Sequence, residues 1–441
     1  MTRNTPTGSA RLGEDAVIPL STLDPAGPLD DLGWLDEVIG DARVVAIGES
    51  SHYNGEFYQL RHRLLRYLVE RHGFGAYAME SGFPEGWTTD RWVRGGQDDQ
   101  LGHVLANGLT SLMGLWTQMR DQLEWLRRHN HDAEHPVGFY GIDLGGSNAS
   151  PLPALDAATA YLERADPEFA LDPGVRETAA SFAASSAFAI PTAFSAYGNL
   201  AVERRDALTA SLADLTARMT ARRLDYVRRT SAEDFDRALR SLRLAVTVDS
   251  LFRGMARGDQ QVAFLNRDAA MADTVEWILR REDRIVLAAH NGHVQRWPAT
   301  LPGMPPVTPM GMHLADRLGE DYRVIGTTSG TGQSLSDTGF AEGRFFTELE
   351  PPRPGSLDAL MAASHDGLFA TDLRRLSPAD AATVLAVSEQ RLSTFYCEIS
   401  PLDAYDAVIH LPHVTAADPD DDALAHSPED VREAFALWRR R

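Results

Sequence analysis

The sequence predicts an α/β fold with a mostly parallel sheet core flanked by helices, and a helical insertion within it. Two patterns indicate this class. Short apolar runs rich in Val, Ile and Phe recur along the chain, each with a polar residue at its exit, which is typical of buried parallel strands. Helical patterns alternate with these runs. The predicted strands span residues 43–49, 76–81, 137–143, 284–290 and 322–328.

An amphipathic helix is predicted between the first two strands in the sequence. Apolar residues recur at helical spacing through 56–72, and Gly73 is a natural stop signal. A second helical pattern over 115–129 precedes the third strand. We therefore predict that residues 1–150 and 284–441 form an α/β catalytic core.

Residues 151–283 differ from this core. They are rich in Ala, Arg and Leu, show no convincing strand pattern, and contain Pro173 and Pro191 as breaks. We predict a helical insertion. Because it follows the carboxyl end of a strand, it is a candidate lid over a pocket as well as a structural element.

Two further stretches are predicted to be irregular. The glycine-rich run 326–332 lacks both G-x-G-x-x-G spacing and a lysine, so we predict a turn. The acidic run 417–426 lacks the spacing of an EF-hand, so we predict a solvated loop before the last helix.

The composition excludes several classes of protein. The formal net charge of −21 argues against a nucleic-acid partner, because binding a phosphate backbone requires a basic surface. All 42 basic residues are arginine, which excludes Schiff-base chemistry on lysine. The single cysteine, the lack of a signal pattern in the first twenty residues and the lack of a long apolar run indicate a cytoplasmic protein without a membrane partner.

Acidic and basic side chains follow the predicted strands at their carboxyl ends. In open parallel α/β sheets, ligands bind at this edge because side chains from different strands converge there. We therefore expect one catalytic pocket at this edge. Its side chains are Glu49 and His52 after the first strand, Glu80 after the second, Asp143 after the third, and His290 and His293 after the fourth.

Arg61 is predicted to join this pocket through the geometry of the first helix. It lies four residues after Phe57 and four before Leu65, on the apolar face. A buried guanidinium needs a carboxylate partner, because an unpaired buried charge costs about 3 to 5 kcal/mol. Glu49 and Glu80 are the nearest candidates.

This set of side chains is sufficient for hydrolysis without a covalent intermediate. A histidine can take a proton from water near neutral pH, a carboxylate can fix the histidine tautomer, and an arginine or a second histidine can stabilise an oxyanion. A competing motif is GGSNA at 145–149, which nearly fits the G-x-S-x-G nucleophile elbow around Ser147 but ends in alanine.

The same residues resemble the erythromycin esterase family. The Gly-Glu-x-x-His turn of that family is matched by Gly48-Glu49-Ser50-Ser51-His52. The segments EFYQLRHRLLRYLVERHGF, MES, LNRDAAMADTVEWIL, AAHNGHV and PMGMHL are similar to later signatures of the family. The resemblance covers most of the core, and the helical insertion is its least distinctive part.

The resemblance implies an ester hydrolase with His52 as the general base. It implies hydrolysis of a small-molecule ester without a cofactor, most directly the lactone of a macrolide antibiotic, and hence antibiotic resistance. Asp143 and His313, the histidine of PMGMHL, are candidate substrate-binding residues. The remaining essential residues implied by the family are Glu49, Arg61, Glu80, His290 and His293.

Three alternative functions are left open by the sequence. A metal-dependent hydrolase would use the same Glu and His side chains as ligands. A biosynthetic tailoring enzyme would use the same base for intramolecular acyl transfer or dehydration. A haem- or metal-binding module is more distant, because it has no obvious use for Arg61. The sequence does not determine the oligomeric state.

Overall fold

The computed structural model describes residues 10–96, 100–300, 303–336 and 343–440. Residues 1–9, part of the stretch inspected for a signal pattern, lie outside the described residues. The chain divides into two compact units. Unit 1 comprises Met1–Gly75 and Asp283–Asp418, and unit 2 comprises Ala76–Glu282 and Pro419–Arg441.

Strands and helices alternate along much of the chain. The strands are β1 Ile18–Pro19, β2 Val44–Glu49, β3 Ala76–Gly82, β4 Gly138–Asp143, β5 Ile285–His290, β6 Tyr322–Leu335, β7 Phe346–Glu348, β8 Phe369–Asp372, β9 Glu389–Leu392, β10 Phe395–Glu398 and β11 Ala407–Val414. The helices are α1 Leu35–Ile39, α2 Gly55–His72, α3 Phe83–Val93, α4 Leu101–Asn107, α5 Thr117–Asp132, α6 Leu152–Ala165, α7 Pro173–Ala180, α8 Ile190–Gly198, α9 Val202–Ala221, α10 Arg223–Arg229, α11 Ala232–Ala256, α12 Gln260–Leu279, α13 Asn291–Val294, α14 Met310–Leu318, α15 Leu357–Ser364, α16 Pro378–Leu385, α17 Pro401–Ala404, α18 Asp421–Ala425 and α19 Glu429–Trp438. None of the helices in the described ranges has the length and apolar composition that crossing a membrane would require.

Unit 1 contains a sheet whose central strands are parallel. β2 pairs with β5 on one side and with β6 on the other, and β6 pairs with β11, all in parallel. β8 and β1 extend this sheet beyond β11 as antiparallel strands. α2 packs on β5 and β11, while α14 and α15 pack on β6. The strands predicted at 43–49, 284–290 and 322–328 are confirmed.

α2 begins and ends close to its predicted bounds. Asn54 precedes it in an extended conformation, and Gly73 ends it with φ 66° in the left-handed region. The Gly73 N–H donates to the Val69 carbonyl at 3.2 Å, which closes the last turn. The amphipathic helix and its glycine stop signal are therefore confirmed.

The glycine-rich run 326–332 forms part of β6, so the prediction of a turn was wrong. β11 pairs with β6 as far as Gly332, which has φ 104°. A Cβ atom on Gly330 would lie 2.4 Å from the Pro412 carbonyl oxygen, and a Cβ on Gly332 would meet the Val414 carbonyl. The glycines therefore permit close approach of two strand backbones, which local sequence patterns do not distinguish from a turn.

Unit 2 contains a strand pair and a group of helices. β3 and β4 pair in parallel, and α3 and α12 pack on β4. The strands predicted at 76–81 and 137–143 are thereby confirmed. Every regular helix or strand described between 151 and 283 is a helix, and Pro173 and Pro191 lie in the first turns of α7 and α8, where proline is well tolerated. The lid role of this segment stays a prediction.

The acidic run 417–426 contains a short helix, so the prediction of a solvated loop was wrong. Asp420 is 3% exposed and accepts the Ala423 N–H at 2.8 Å, which caps α18. Arg120 on α5 donates two hydrogen bonds to the same carboxylate. The charge of Asp420 is thus compensated by a residue about 300 positions away, a partner that the local sequence cannot indicate.

Candidate active site

The turn that follows β2 carries His52 and is held by contacts to other strands of unit 1. The Ser51 hydroxyl accepts hydrogen bonds from the Ser334 hydroxyl at 2.9 Å and from the Leu335 N–H at 3.2 Å. The Asn54 side chain donates to a β6 carbonyl at 2.7 Å. Tyr53 has φ 64°, a strained conformation for an aromatic residue. The turn therefore holds His52 in a fixed position at the end of β2.

Glu49 joins His52 and Arg61 through its two carboxylate oxygens. His52 Nδ1 lies 2.6 Å from Glu49 Oε1, and Arg61 Nη1 donates to Glu49 Oε2 at 2.9 Å. The Arg61 guanidinium also lies over the ring of Tyr58, 4.5 Å from its centroid. Arg61 is 4% exposed, so the predicted buried arginine with a carboxylate partner is confirmed.

The residue before Glu49 is Gly48, and the packing of Asn291 against it explains why a glycine is needed there. A Cβ atom at Gly48 would lie 2.1 Å from Asn291 Oδ1. The buried Asn291 side chain donates to the Thr327 carbonyl at 2.8 Å and accepts the Thr327 N–H at 3.2 Å. Asn291 therefore links the end of β5 to β6 across Gly48, and larger side chains at 48 would displace it.

His290 lies beside His52 in unit 1. The centroids of the two rings are 5.0 Å apart, with an angle of 55° between the ring planes. His290 Nδ1 accepts the Gly292 N–H at 3.2 Å at the start of α13. We call Glu49, His52, Arg61 and His290 the histidine cluster. His293 follows on the same short helix and is partly exposed.

Glu80 and Asp143 lie at the ends of β3 and β4 in unit 2, where Arg267 joins them. Arg267 Nη2 lies 2.9 Å from Glu80 Oε1 and 2.5 Å from Asp143 Oδ2, while its Nε donates to Asp143 Oδ1 at 2.9 Å. We call Glu80, Asp143 and Arg267 the arginine bridge. Asp143 Oδ1 also accepts the Leu144 N–H at 2.8 Å.

The contacts within the arginine bridge keep the Arg267 guanidinium charged. Burial alone would lower the pKa of Arg267, but the charges of Asp143 and Glu80 and the hydrogen bonds to Asp143 outweigh it and raise that pKa above the ordinary arginine value. The guanidinium therefore stays cationic at every ordinary pH. Two carboxylates and one guanidinium give the three side chains a net charge of −1 when both acids are ionised.

Arg267 is the site residue that the sequence reasoning missed. It lies on α12, four residues before Met271 and eight before Val275, and both of these are buried. This spacing is the signal that identified Arg61. Applied to LNRDAAMADTVEWIL, it indicates a second arginine on a buried helix face.

The predicted site residues are thus divided between the two units. Glu49, His52, Arg61, His290 and His293 lie in unit 1, and Glu80 and Asp143 lie in unit 2. His313 is partly exposed on α14 of unit 1. Among the described residues, no group of three or more His, Cys, Asp or Glu side chains is arranged to hold a metal ion.

Comparison with known proteins gives consistent matches. A sequence profile of the family described as Erythromycin esterase matches residues 69–414. Erythromycin esterase type II from Escherichia coli is 30% identical over 361 residues, covering 78% of this chain and 84% of that protein. Erythromycin esterase type I from Escherichia coli is 28% identical over 308 residues, covering 67% and 71%.

A solved structure shares the fold. A mutant of the erythromycin esterase EreC in its open conformation has a TM-score of 0.73 and 22% sequence identity. The likeness covers 90% of this chain and 97% of that one. The predicted α/β class, with a mostly parallel sheet flanked by helices, is therefore confirmed.

Proposed function

The chain belongs to the erythromycin esterase family, and we propose that it is a carboxylic-ester hydrolase in which His52 activates a water molecule. The observation that carries the proposal is the 2.6 Å contact between His52 Nδ1 and Glu49 Oε1. The family profile begins at residue 69, beyond this turn, so the geometry of the turn supports the assignment independently.

Glu49 would select the tautomer of His52 that can act as a base. A carboxylate accepts a hydrogen bond, so the neutral imidazole carries its proton on Nδ1 and leaves Nε2 as the proton acceptor. Arg61 donates a charge-assisted hydrogen bond to the other carboxylate oxygen, which orients Glu49. When His52 takes a proton from water, the new imidazolium lies next to a carboxylate that stabilises it.

His290 would have the opposite tautomer. Its Nδ1 accepts a backbone N–H, so the neutral ring carries its proton on Nε2 as a donor. One ring is therefore suited to removing a proton and the other to donating one, with centroids 5.0 Å apart. Hydroxide from water adds to the ester carbonyl, the acyl C–O bond breaks, and His290 protonates the departing alkoxide.

The remaining predicted residues have supporting roles in this proposal. Glu80 stays in this proposal as a member of the essential set, and His293 is a second candidate for polarising the carbonyl. Arg267 would position Glu80 through the arginine bridge. The substrate-binding roles of Asp143 and His313, and the cytoplasmic location, stay predictions.

We propose a macrolide lactone as the substrate. Both Escherichia coli relatives carry the name erythromycin esterase, at 30% and 28% identity. The tailoring alternative uses the same base and donor but gives different products, so product masses separate the two. Macrolides and small esters should be incubated with the enzyme and with the His52→Ala variant.

The product masses decide between the reactions. Hydrolysis adds the mass of one water to the substrate, and His52→Ala should abolish that gain. A product that has lost one water would instead indicate dehydration, and an isomer of unchanged mass would indicate acyl transfer. Either of those results, without any hydrolysed product, would contradict the proposal.

In the metal-dependent alternative, Glu49 would be a ligand of the metal ion. Both oxygens of Glu49 already bind protein side chains, so a metal ion would compete with His52 and Arg61 for this carboxylate. Turnover should therefore be measured before and after dialysis against a chelator, with elemental analysis of the same samples. Loss of turnover that returns when one metal is added back would favour the metal-dependent reaction.

A further inference from the structure

Unit 2 contains a cavity of about 350 Å³, within the size range of small-molecule sites. Its walls include residues that follow β3 and β4 in the chain. The Thr110 hydroxyl accepts the Gly82 N–H at 2.8 Å, which ties one wall to the end of β3. Hydroxyl and apolar groups line the cavity together, among them Thr110, Ser111, Ser147, Leu109, Leu112 and Leu152.

Glu85 lines this cavity, and its two carboxyl oxygens have different surroundings. Glu85 Oε1 accepts the Gly146 N–H at 2.7 Å. Glu85 Oε2 is buried and has no hydrogen-bond partner among the described residues, although the side chain as a whole is partly exposed. A carboxylate in such surroundings is costly to ionise, so a cationic ligand in the cavity would stabilise its charged form.

The loops around Glu85 are held in an unusual backbone conformation. Ser111, Leu112 and Ser147 have φ values of 53°, 58° and 52°, which are strained for residues other than glycine. The Ser111 N–H donates to the Ser147 hydroxyl at 2.9 Å, so the loop after α4 and the loop after β4 support each other. Strain of this kind often accompanies ligand sites. Ser147, the serine of the near-match to a nucleophile elbow, thus anchors a loop.

The charge of the cavity favours a cation. Among the described residues that line it, the charged side chains are Glu85 and Asp156, both acids. Asp156 already binds Arg176 through two hydrogen bonds of 2.8 and 2.9 Å. We propose that this cavity binds a small organic ammonium ion, whose charge is balanced by the Glu85 carboxylate and whose apolar frame packs against Leu109 and Leu152.

Proton release accompanies this binding. Burial, with a smaller contribution from the charge of Asp143, raises the pKa of Glu85 to about 7, although hydrogen bonds from backbone N–H groups oppose the change. A bound ammonium ion favours the ionised carboxylate, so binding at pH 7 should release about half a proton. Three acids on the elements around Glu85 each have a partner. Asp143 of β4 binds Arg267 of α12, and Asp156 of α6 binds Arg176 of α7. Asp430 of α19 accepts a hydrogen bond from the Ser186 hydroxyl.

Cyclohexylammonium and cyclohexanol make a matched pair of probes, because they share a ring and differ in charge. The full-length wild-type protein should bind cyclohexylammonium at least about tenfold more tightly than cyclohexanol, measured by calorimetry at constant ionic strength. Calorimetry in two buffers of different ionisation enthalpy should detect the released proton. Equal affinity for the two probes, or no proton release near pH 7, would overturn the proposal.

Glu85→Gln tests the residue directly. The amide keeps the volume and an acceptor for the Gly146 N–H, so the fold should persist, which circular dichroism can verify. We expect about a tenfold loss of ammonium affinity, no released proton, and little change for cyclohexanol. Asp156→Asn is the matched control and should change the affinity by less than about twofold, because Arg176 already balances that charge.

A further control separates this site from the proposed hydrolysis. His52→Ala, which should lose turnover, should bind cyclohexylammonium as the wild type does. Undiminished ammonium binding by Glu85→Gln would instead place the ion elsewhere and reject the proposed site, whatever the outcome for ester hydrolysis.

Discussion

The histidine cluster of unit 1 and the arginine bridge of unit 2 each contain a strand-end carboxylate bound to a largely buried arginine. In the histidine cluster, Arg61 binds one oxygen of Glu49 and His52 binds the other. In the arginine bridge, one guanidinium spans the two carboxylates of Glu80 and Asp143. The first arrangement contains a group that can exchange protons near neutral pH, and the second fixes charge.

A third acid, Glu85 in unit 2, differs from both. Within the described residues, its hydrogen-bond donors include neither an imidazole nor a guanidinium. Its hydrogen bonds in the described structure come from backbone N–H groups, and burial raises its pKa to about 7. The three environments show that the type of partner decides whether a carboxylate orients a base, balances a cation or holds a proton itself. The variants below test this difference, from the largest expected free-energy effect to the smallest.

His52→Ala should give the largest effect, because it removes the proton acceptor from the histidine cluster. We expect kcat/KM for the hydrolysed ester to fall by roughly 10³-fold or more, with thermal stability nearly unchanged because His52 is partly exposed. Steady-state kinetics and calorimetric unfolding measure the two quantities. Turnover within about twofold of wild type would remove His52 from the reaction.

Arg267→Met should affect stability more than any change to the histidine cluster. It leaves Glu80 and Asp143 buried without their common cation, so the free energy of unfolding should fall by about 3 to 5 kcal/mol. Urea denaturation measures this change. Asp143→Asn in the same chain should recover part of the loss, because it removes one of the two stranded charges, and failure to recover any would argue against the bridge as a charge network.

Glu49→Gln should lower turnover by about a hundredfold while leaving substrate affinity nearly unchanged. The amide nitrogen of glutamine can donate to His52 Nδ1 and thereby favour the tautomer with its proton on Nε2, which cannot accept a proton from water. Single-turnover kinetics separates the chemical step from binding. A change in KM alone would show that Glu49 holds the substrate and does not orient His52.

Glu85→Gln should give the smallest effect, on the pH dependence of stability. The pKa of Glu85 is raised from 4.5 to about 7 in the folded state, so the folded chain binds more protons than the unfolded chain between these values. Below pH 4.5 this carboxyl group is protonated in both states and does not lower the free energy of unfolding. As the pH rises through 7 the folded-state carboxyl ionises, and the free energy of unfolding falls. Glu85→Gln should be more stable than wild type at pH 8 by about 2 kcal/mol, after allowance for partial exposure.

Denaturation of both proteins at pH 5 and pH 8 checks this sign. The stability advantage of Glu85→Gln should be larger at pH 8, where the wild-type carboxyl is ionised. An advantage that is equal at the two pH values would show that Glu85 titrates outside this window.

Much of the fold was predictable because it depends on local patterns. Apolar runs with polar exits identified β2, β3, β4, β5 and the first half of β6, and helical spacing identified α2 with its glycine stop. The same spacing correctly placed Arg61 in the interior, with Glu49 as a partner. The wrong predictions, at 326–332 and 417–426, concern stretches whose environment comes from β11 and from Arg120.

The sequence alone determined which residues end the strands, because strand and helix periods are local consequences of side-chain polarity. It also determined the formal charge and the absence of lysine, and so the chemistry that the chain cannot perform. Only the tertiary structure decided which acid holds His52, which acids share Arg267 and which backbone N–H binds Glu85. Those choices depend on distances of a few ångströms between residues far apart in the chain, and hydrogen bonds and ion pairs are made or lost over such distances.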